Sequence, residues 1–206
     1  KILNGTGSVG NDHPISPVNK FFNTELPQRS YDPDKARFHL KKAGMENLNV
    51  TLSTSEGIWE GAMDAALLYS ASAAKAGIKL DVNKVPSDGY WSDVWLKHPW
   101  SAAYWSGRPT EDWMFTVAYA AGASWNDTRW NHPRFNQLLK DARAELNEDR
   151  ARDMYWEMQQ ITSDEGGAVI PLFADHLIGH SDKLAHGNLA GNWEMDGYRM
   201  IERWWF

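Results

Sequence analysis

Residues Leu48 to Val85 carry the pattern that most restricts how this chain can fold. Leu48, Val50 and Leu52 alternate with polar residues, the period of a half-buried strand. Ile58, Ala62, Ala65, Ala66, Tyr69, Ala73 and Ala76 then recur at helical spacing, and Gly77 stands where a helix end favours glycine. Ile78, Leu80, Val82 and Val85 alternate again. Strand, helix and strand in that order form a βαβ unit, in which the helix returns the chain so that the strands run parallel. Parallel strands need cover on both faces. The expected class is therefore α/β, a mixed sheet flanked by helices.

The rest of the chain supplies more of the same. Asp32 and Pro33 form a cap and first turn for a short helix through Ala36, Phe38, Leu40 and Ala43, ending at Gly44. Asp88 opens a short aromatic helix with Trp91, Val94 and Trp95, and the apolar run Trp100–Trp105 reads as a buried strand. Residues 106–133 read as loop around a short helix near Trp113–Tyr119. Phe135, Leu138, Leu139, Ala142 and Leu146 line one firm helix. Ala151, Met154, Tyr155, Met158, Ile161 and Thr162 line another, capped by Asn147. Val169–Phe173 reads as a short strand, whereas residues 1–30 and the stretch after Asp175 are polar and rich in glycine.

Composition removes several function classes. The 206 residues contain no cysteine, which excludes disulfide scaffolds, thiolate zinc sites, iron–sulfur clusters and cysteine nucleophiles. A net charge of -6 argues against nucleic acid as a partner. No apolar run is long enough to span a bilayer. The twelve tryptophans are an excess, and tryptophan serves as core filler or as the stiff wall of a binding surface. Trp59, Trp91, Trp95 and Trp156 fall on periodic faces and read as core. Trp105, Trp113, Trp125 and Trp130 fall in loops and read as a cleft wall. Trp204 and Trp205 sit in the tail, and Trp100 and Trp193 have no assignment. Neither Lys1 nor Trp204–Phe206 resembles a natural terminus, so a piece of a longer protein is expected, with any export signal outside it.

Three motifs bear on chemistry. Gly5, Gly7 and Gly10 fit G-x-G-x-x-G, but only Ile2 and Leu3 precede them and Asn11–Pro14 cannot open a helix, so a turn or hinge is expected, not a dinucleotide site. His176 and His180 stand at i,i+4 with Asp182 and His186 behind. That is valid zinc spacing on a helix, yet Gly179 and the missing glutamate favour polar loop histidines, and no metal or other cofactor is expected. The third motif is Trp105-Ser-Gly-Arg108-Pro-Thr-Glu111-Asp112-Trp113. Thr110 with two following acids is a helix cap, and the same residues form a zwitterion site, with an Arg for a carboxylate, an Asp for an ammonium and indole walls. Both readings stand at this point. Trp125, Asn126 and Trp130 interleave aromatic and amide groups in the same way.

Several of these segments together resemble one family. Tyr31, Asp32, Pro33, Lys35 and Ala36, followed by Leu40 and Ala43-Gly44, resemble its Y-D-P-x-K-A helix start. Lys75 to Leu80 resembles its L-x-x-x-G-I-x-V element, Asn131 to Phe135 with Leu138-Leu139 its N-x-x-F-D-x-L-L start, Arg150 to Gln159 its R-x-x-x-Y-x-x-x-Q-x-I helix, and Ile170 to Leu172 its I-P-L strand. The order is kept over most of residues 4–175. The family is the extracytoplasmic solute-binding proteins of peptide/nickel-type ABC importers.

The resemblance implies one lobe of a two-lobed, type II periplasmic-binding-protein-like fold, cut from a protein at least twice as long. Residues 1–30 would be the inter-lobe crossover and an extended loop, 31–175 the α/β ligand-binding lobe, and 176–206 a segment returning to the missing N-terminal lobe. It implies no catalysis, with capture of a short peptide or related solute by lobe closure and delivery to permease subunits outside the cytoplasm. In relatives an aspartate in the loop after the strand matching Trp100–Trp105 holds the peptide ammonium. Asp112 matches it best, with Glu111 as the alternative, although this chain lacks the usual Asp-Pro. The implied ligand-binding set is Trp105, Arg108, Glu111, Asp112, Trp113, Trp125, Asn126 and Trp130. The alternative is a hydrolase or metal-dependent enzyme acting on peptides or glycans, for which no catalytic constellation assembles.

Overall fold

The alternating runs do pair, and in the expected direction. The computed structural model describes residues 2–206. In chain order its elements are β1 (Ser8–Val9), α1 (Pro33–Lys42), β2 (Asn49–Thr54), α2 (Ala62–Ala74), β3 (Lys79–Lys84), a π-helical turn (Tyr90–Val94), α3 (Glu111–Ala118), α4 (Pro133–Ala144), α5 (Glu148–Glu165), β4 (Leu172–Phe173), β5 (Ala185–His186), α6 (Glu194–Tyr198), α7 (Met200–Arg203) and β6 (Trp204–Trp205). They form two compact units. One is Arg29–Trp105 with Ile2; the other is Leu3–Gln28 with Ser106–Phe206.

In the first unit β2 and β3 run parallel, Asn49 opposite Lys79 through Thr54 opposite Lys84, with α2 as the crossover. Leu52 and Leu80 meet Ala66 of α2, and the small side chain lets the helix lie close to the strands. The alternation breaks at Ser53, which is also buried. Ser53 accepts from the Ala102 amide at 2.8 Å and donates to the Trp100 carbonyl at 3.1 Å. The strand expected over Trp100–Trp105 is reduced to that single parallel bridge, Ser53 to Ser101. A second cluster, Ile58, Ala62, Tyr90 and Val94, gathers around Tyr90, whose phenol donates to the Ala102 carbonyl at 2.7 Å. Helix α2 begins at Ala62, not at Ile58, because Gly61 takes a φ of +92° and no side chain caps the turn. Trp91, expected in the core, is 42% exposed and packs edge-on against Tyr90, Trp95 and Tyr104.

The second unit is built on α4 and α5. Phe135, Leu138, Leu139 and Ala142 of α4 are buried with Tyr155 and Met158 of α5, while α3 adds Met114, Phe115 and Ala118. Asn147 caps α5 through the Arg150 amide at 3.0 Å, as its position predicts. Asn147→Ala is expected to cost about 1 kcal/mol, measured as a lowered urea midpoint. Helix α4 is capped less conventionally: His132 Nδ1 accepts from the Phe135 amide at 3.2 Å while its ring stacks on Trp130.

A polar strap, residues 10–28, crosses this unit and is held by buried side chains. Gln159 of α5 accepts from the Asn23 amide at 2.8 Å and donates to the Phe21 carbonyl at 2.7 Å. Ser163 donates to the Asn11 carbonyl at 2.8 Å, and Glu111 accepts from the Phe21 amide at 2.6 Å. Before the strap, β1 pairs antiparallel with β4. Here the glycine motif finds its reason. A Cβ on Gly7 would sit 2.3 Å from the Phe173 carbonyl oxygen, and one on Gly10 would sit 2.1 Å from that of Ile170. These glycines admit a neighbouring backbone.

Candidate functional site

The loop that joins the two readings of Glu111 and Asp112 resolves them by helix geometry. Thr110 caps α3, its hydroxyl accepting from the Trp113 amide at 3.2 Å. Successive residues of a helix point about 100° apart, so the adjacent acids part company. Glu111 turns inward, is buried, and bonds the Phe21 amide. Asp112 stays partly exposed and receives a fork from Arg143 of α4 at 3.1 and 3.2 Å, with Arg143 also donating to the Thr116 hydroxyl at 2.8 Å. The partner of Asp112 is thus Arg143. Arg143 also lines an open depression with Thr116, Ala120, Asn136, Leu139 and Lys140.

Arg108 has a different setting. Its Nη1 donates to the Ser106 and Gly107 carbonyls, both at 2.9 Å, which orients the guanidinium. The cation lies 5.9 Å from the Trp113 ring centre and 5.8 Å from that of Trp193. The two indoles meet edge-to-face at 5.3 Å, and Tyr198 packs on Trp193 at 4.8 Å. Burial and the Glu194 carboxylate raise the Tyr198 phenol pKa, while the positive charge of Arg108 works against that rise. Arg108, Trp113, Trp193 and Tyr198 are therefore one cluster, of which the sequence placed only the first two together.

The remaining expected site residues disperse. Asn126 is buried. Its Nδ2 donates to the Trp130 carbonyl at 2.8 Å and its Oδ1 accepts from the Trp130 amide and Thr128 hydroxyl, both at 3.2 Å, so it pins the loop that contains it. Trp130 packs on Tyr119, His132 and Phe135 beside the helical core. Trp125 is exposed and lines an open depression with Thr116, Val117, Ala123 and Ser124. Trp105 is half-buried at the end of the first unit.

The histidine cluster does not take the helical form that its spacing permits. Residues 174–181 have no regular structure, and His180 and His186 lie 5.2 Å apart against Trp204. Among the described residues no group of three or more His, Asp or Glu side chains is placed to hold a metal ion. No helix among them is long and apolar enough to cross a membrane.

Solved structures of solute-binding proteins share this fold. NikZ from Campylobacter jejuni in complex with Ni(L-His) superposes with a TM-score of 0.75 at 15% identity, over 99% of this chain and 44% of that one. The oligopeptide-binding protein AppA from Bacillus subtilis in complex with a nonapeptide superposes with a TM-score of 0.72 at 17% identity, over 100% of this chain and 44% of that one. At such identities the likeness defines the class, the type II periplasmic binding proteins. Residues 1–127 match the description "Bacterial extracellular solute-binding proteins, family 5 Middle", and the chain belongs to that family. Di/tripeptide-binding protein 4 of Pseudomonas aeruginosa is 30% identical over 172 residues, 77% of this chain and 31% of that protein. The chain spans about a third of the length of the curated relatives it matches.

Proposed function

We propose that this chain is part of the substrate-binding component of an ABC importer, which captures short peptides outside the cytoplasm and hands them to permease subunits. The observation that carries the reading is membership of the solute-binding family, joined to a 30% identical relative named for di- and tripeptide binding. Nothing favours the hydrolase alternative. In this proposal residues 31–175 form the ligand lobe, residues 1–30 the crossover to a lobe outside this sequence, and 176–206 the return segment. Closure of two lobes traps the solute because its contacts are complete only in the closed state.

Within the proposed site, Arg108 and Trp113 supply charge and wall, Asp112 supplies the more exposed carboxylate, and Trp125 supplies tolerant aromatic surface. Glu111 and Asn126 hold the loops that carry them. The test is mass spectrometry of the solute that co-purifies with the full-length protein, followed by calorimetry. Short peptides are the expected cargo; opines, oligosaccharides or metal chelates in their place would sink the peptide class. Asp112→Asn is expected to weaken a free-amine tripeptide about ten-fold, near 1.4 kcal/mol, and its acetylated form much less. Equal losses would remove Asp112 from the ammonium position.

A further inference from the structure

Helix α1 carries no buried residue. Its half-buried stripe is Pro33, Ala36 and Leu40, at i, i+3 and i+7, and this is the side it turns to the rest of the first unit. Two bonds dock it along α2. The Tyr31 phenol donates to the Ser72 carbonyl at 3.0 Å, and Arg37 Nη1 donates to the Lys75 carbonyl. Phe38 lies two residues from both Ala36 and Leu40, about 200° round the helix. It therefore faces away from the protein and is 62% exposed.

The surroundings of that ring are cationic. Its helical neighbours at i±3 and i±4 are Asp34, Lys35, Lys41 and Lys42. Asp34 is taken by Arg37. The three lysines are exposed, and no carboxylate among the described residues is paired with them. The face continues onto α2, where Leu68, Ser72 and Lys75 share a stripe at i, i+4 and i+7. Leu68 is half-exposed, Lys75 is exposed, and Tyr31, docked at Ser72, stays exposed as well. Apolar groups and cations thus interleave on one face of a chain whose net charge is -6.

This arrangement fits one kind of partner. A specific protein partner needs a shaped counterpart, but α1 is a single convex helix about 15 Å long. Both depressions described above lie in the second unit. A layer of anionic lipid headgroups needs no shape match. An aromatic ring settles at the level of the headgroups, while lysine stems extend to place their ammonium groups on phosphates. Each such cation is drawn by the surface potential, and salt screens the attraction. The acidic remainder of the chain is repelled by the same surface, which confines contact to one orientation.

We propose that the outer face of α1, with Phe38 set among Lys35, Lys41 and Lys42, is a reversible docking surface for an anionic lipid bilayer. The proposal rests on the importer reading and adds to it. A carrier that must meet permease subunits in a membrane has a shorter search when it is held loosely against that membrane.

The test is co-sedimentation of the full-length protein with vesicles of phosphatidylcholine alone, or of phosphatidylcholine with an equal share of phosphatidylglycerol. Wild type is expected to bind the anionic vesicles in low salt, to leave them in high salt, and to ignore phosphatidylcholine. The double variant Lys41→Glu, Lys42→Glu is expected to lower partition onto anionic vesicles at least about ten-fold, and Phe38→Ser about three-fold. All three positions are exposed, so both variants should keep the wild-type melting temperature. Binding that is equal on the two vesicle types, survives the double substitution, or is absent in low salt would overturn the lipid surface. Calorimetry with trialanine, run without vesicles, reads the solute-binding proposal separately and should be unchanged in both variants. A wild type that binds trialanine but no vesicles sinks only the lipid surface; one that binds anionic vesicles but no trialanine sinks only the peptide reading.

Discussion

Acidification from pH 7 to pH 4 is expected to remove about 3 kcal/mol of stability through one residue, His13. Its side chain is 1% exposed, neither ring nitrogen has a hydrogen-bond partner, and burial alone lowers its pKa to about 4. The folded state holds the ring neutral. The unfolded chain takes up a proton near pH 6.5, so the contribution is complete above that value and is lost progressively as pH falls towards 4. The adjacent Asp12 carboxylate accepts from the Ile170 amide at 2.8 Å. Urea unfolding of wild type and His13→Leu at pH 7.5 and 4.5 checks this. The variant should show a much flatter acid limb, and identical limbs in both proteins would exclude His13 as the cause.

The second large effect is expected at Gln159. Leucine there keeps the volume but strands the Asn23 amide and the Phe21 carbonyl, two backbone groups whose partner is the Gln159 side chain. Each orphaned group costs about 1–3 kcal/mol, so Gln159→Leu should destabilise by about 2–6 kcal/mol. Because the lost bonds tether the strap, amide exchange at Phe21 and Asn23 should accelerate more than exchange within α4. Uniform acceleration would mean that the strap is not a separate dependent element.

Local rules account for what could be read from the sequence. The βαβ unit was visible because its periodicities switch from two to 3.6 and back, and the caps at Asp32, Thr110 and Asn147 because capping is decided within three residues. The strap was not visible. Residues 10–28 lack any period, and the groups that hold them, Glu111, Gln159 and Ser163, lie far along the chain. The same limit applies to the candidate site. Arg108 and Trp113 are near neighbours in sequence, but no local signal assigns Trp193 or Tyr198 to them, and the left-handed turn over residues 195–198 that does so has only Gly197 as an ordinary αL residue. Trp130 misleads for the opposite reason: it lies outside any periodic element yet fills the flank of a helical core.

The second unit opens with residues whose partners come last. Asn11 waits for Ser163, Gly7 for Asp175, and β1 for β4, with the whole of Arg29–Trp105 threaded in between. Closing a loop of that length costs loop entropy before any contact repays it. A nascent chain with this layout cannot finish its second unit until residue 175 is available. Until then that unit lacks its closing contacts, and its architecture doubles as a delay on folding.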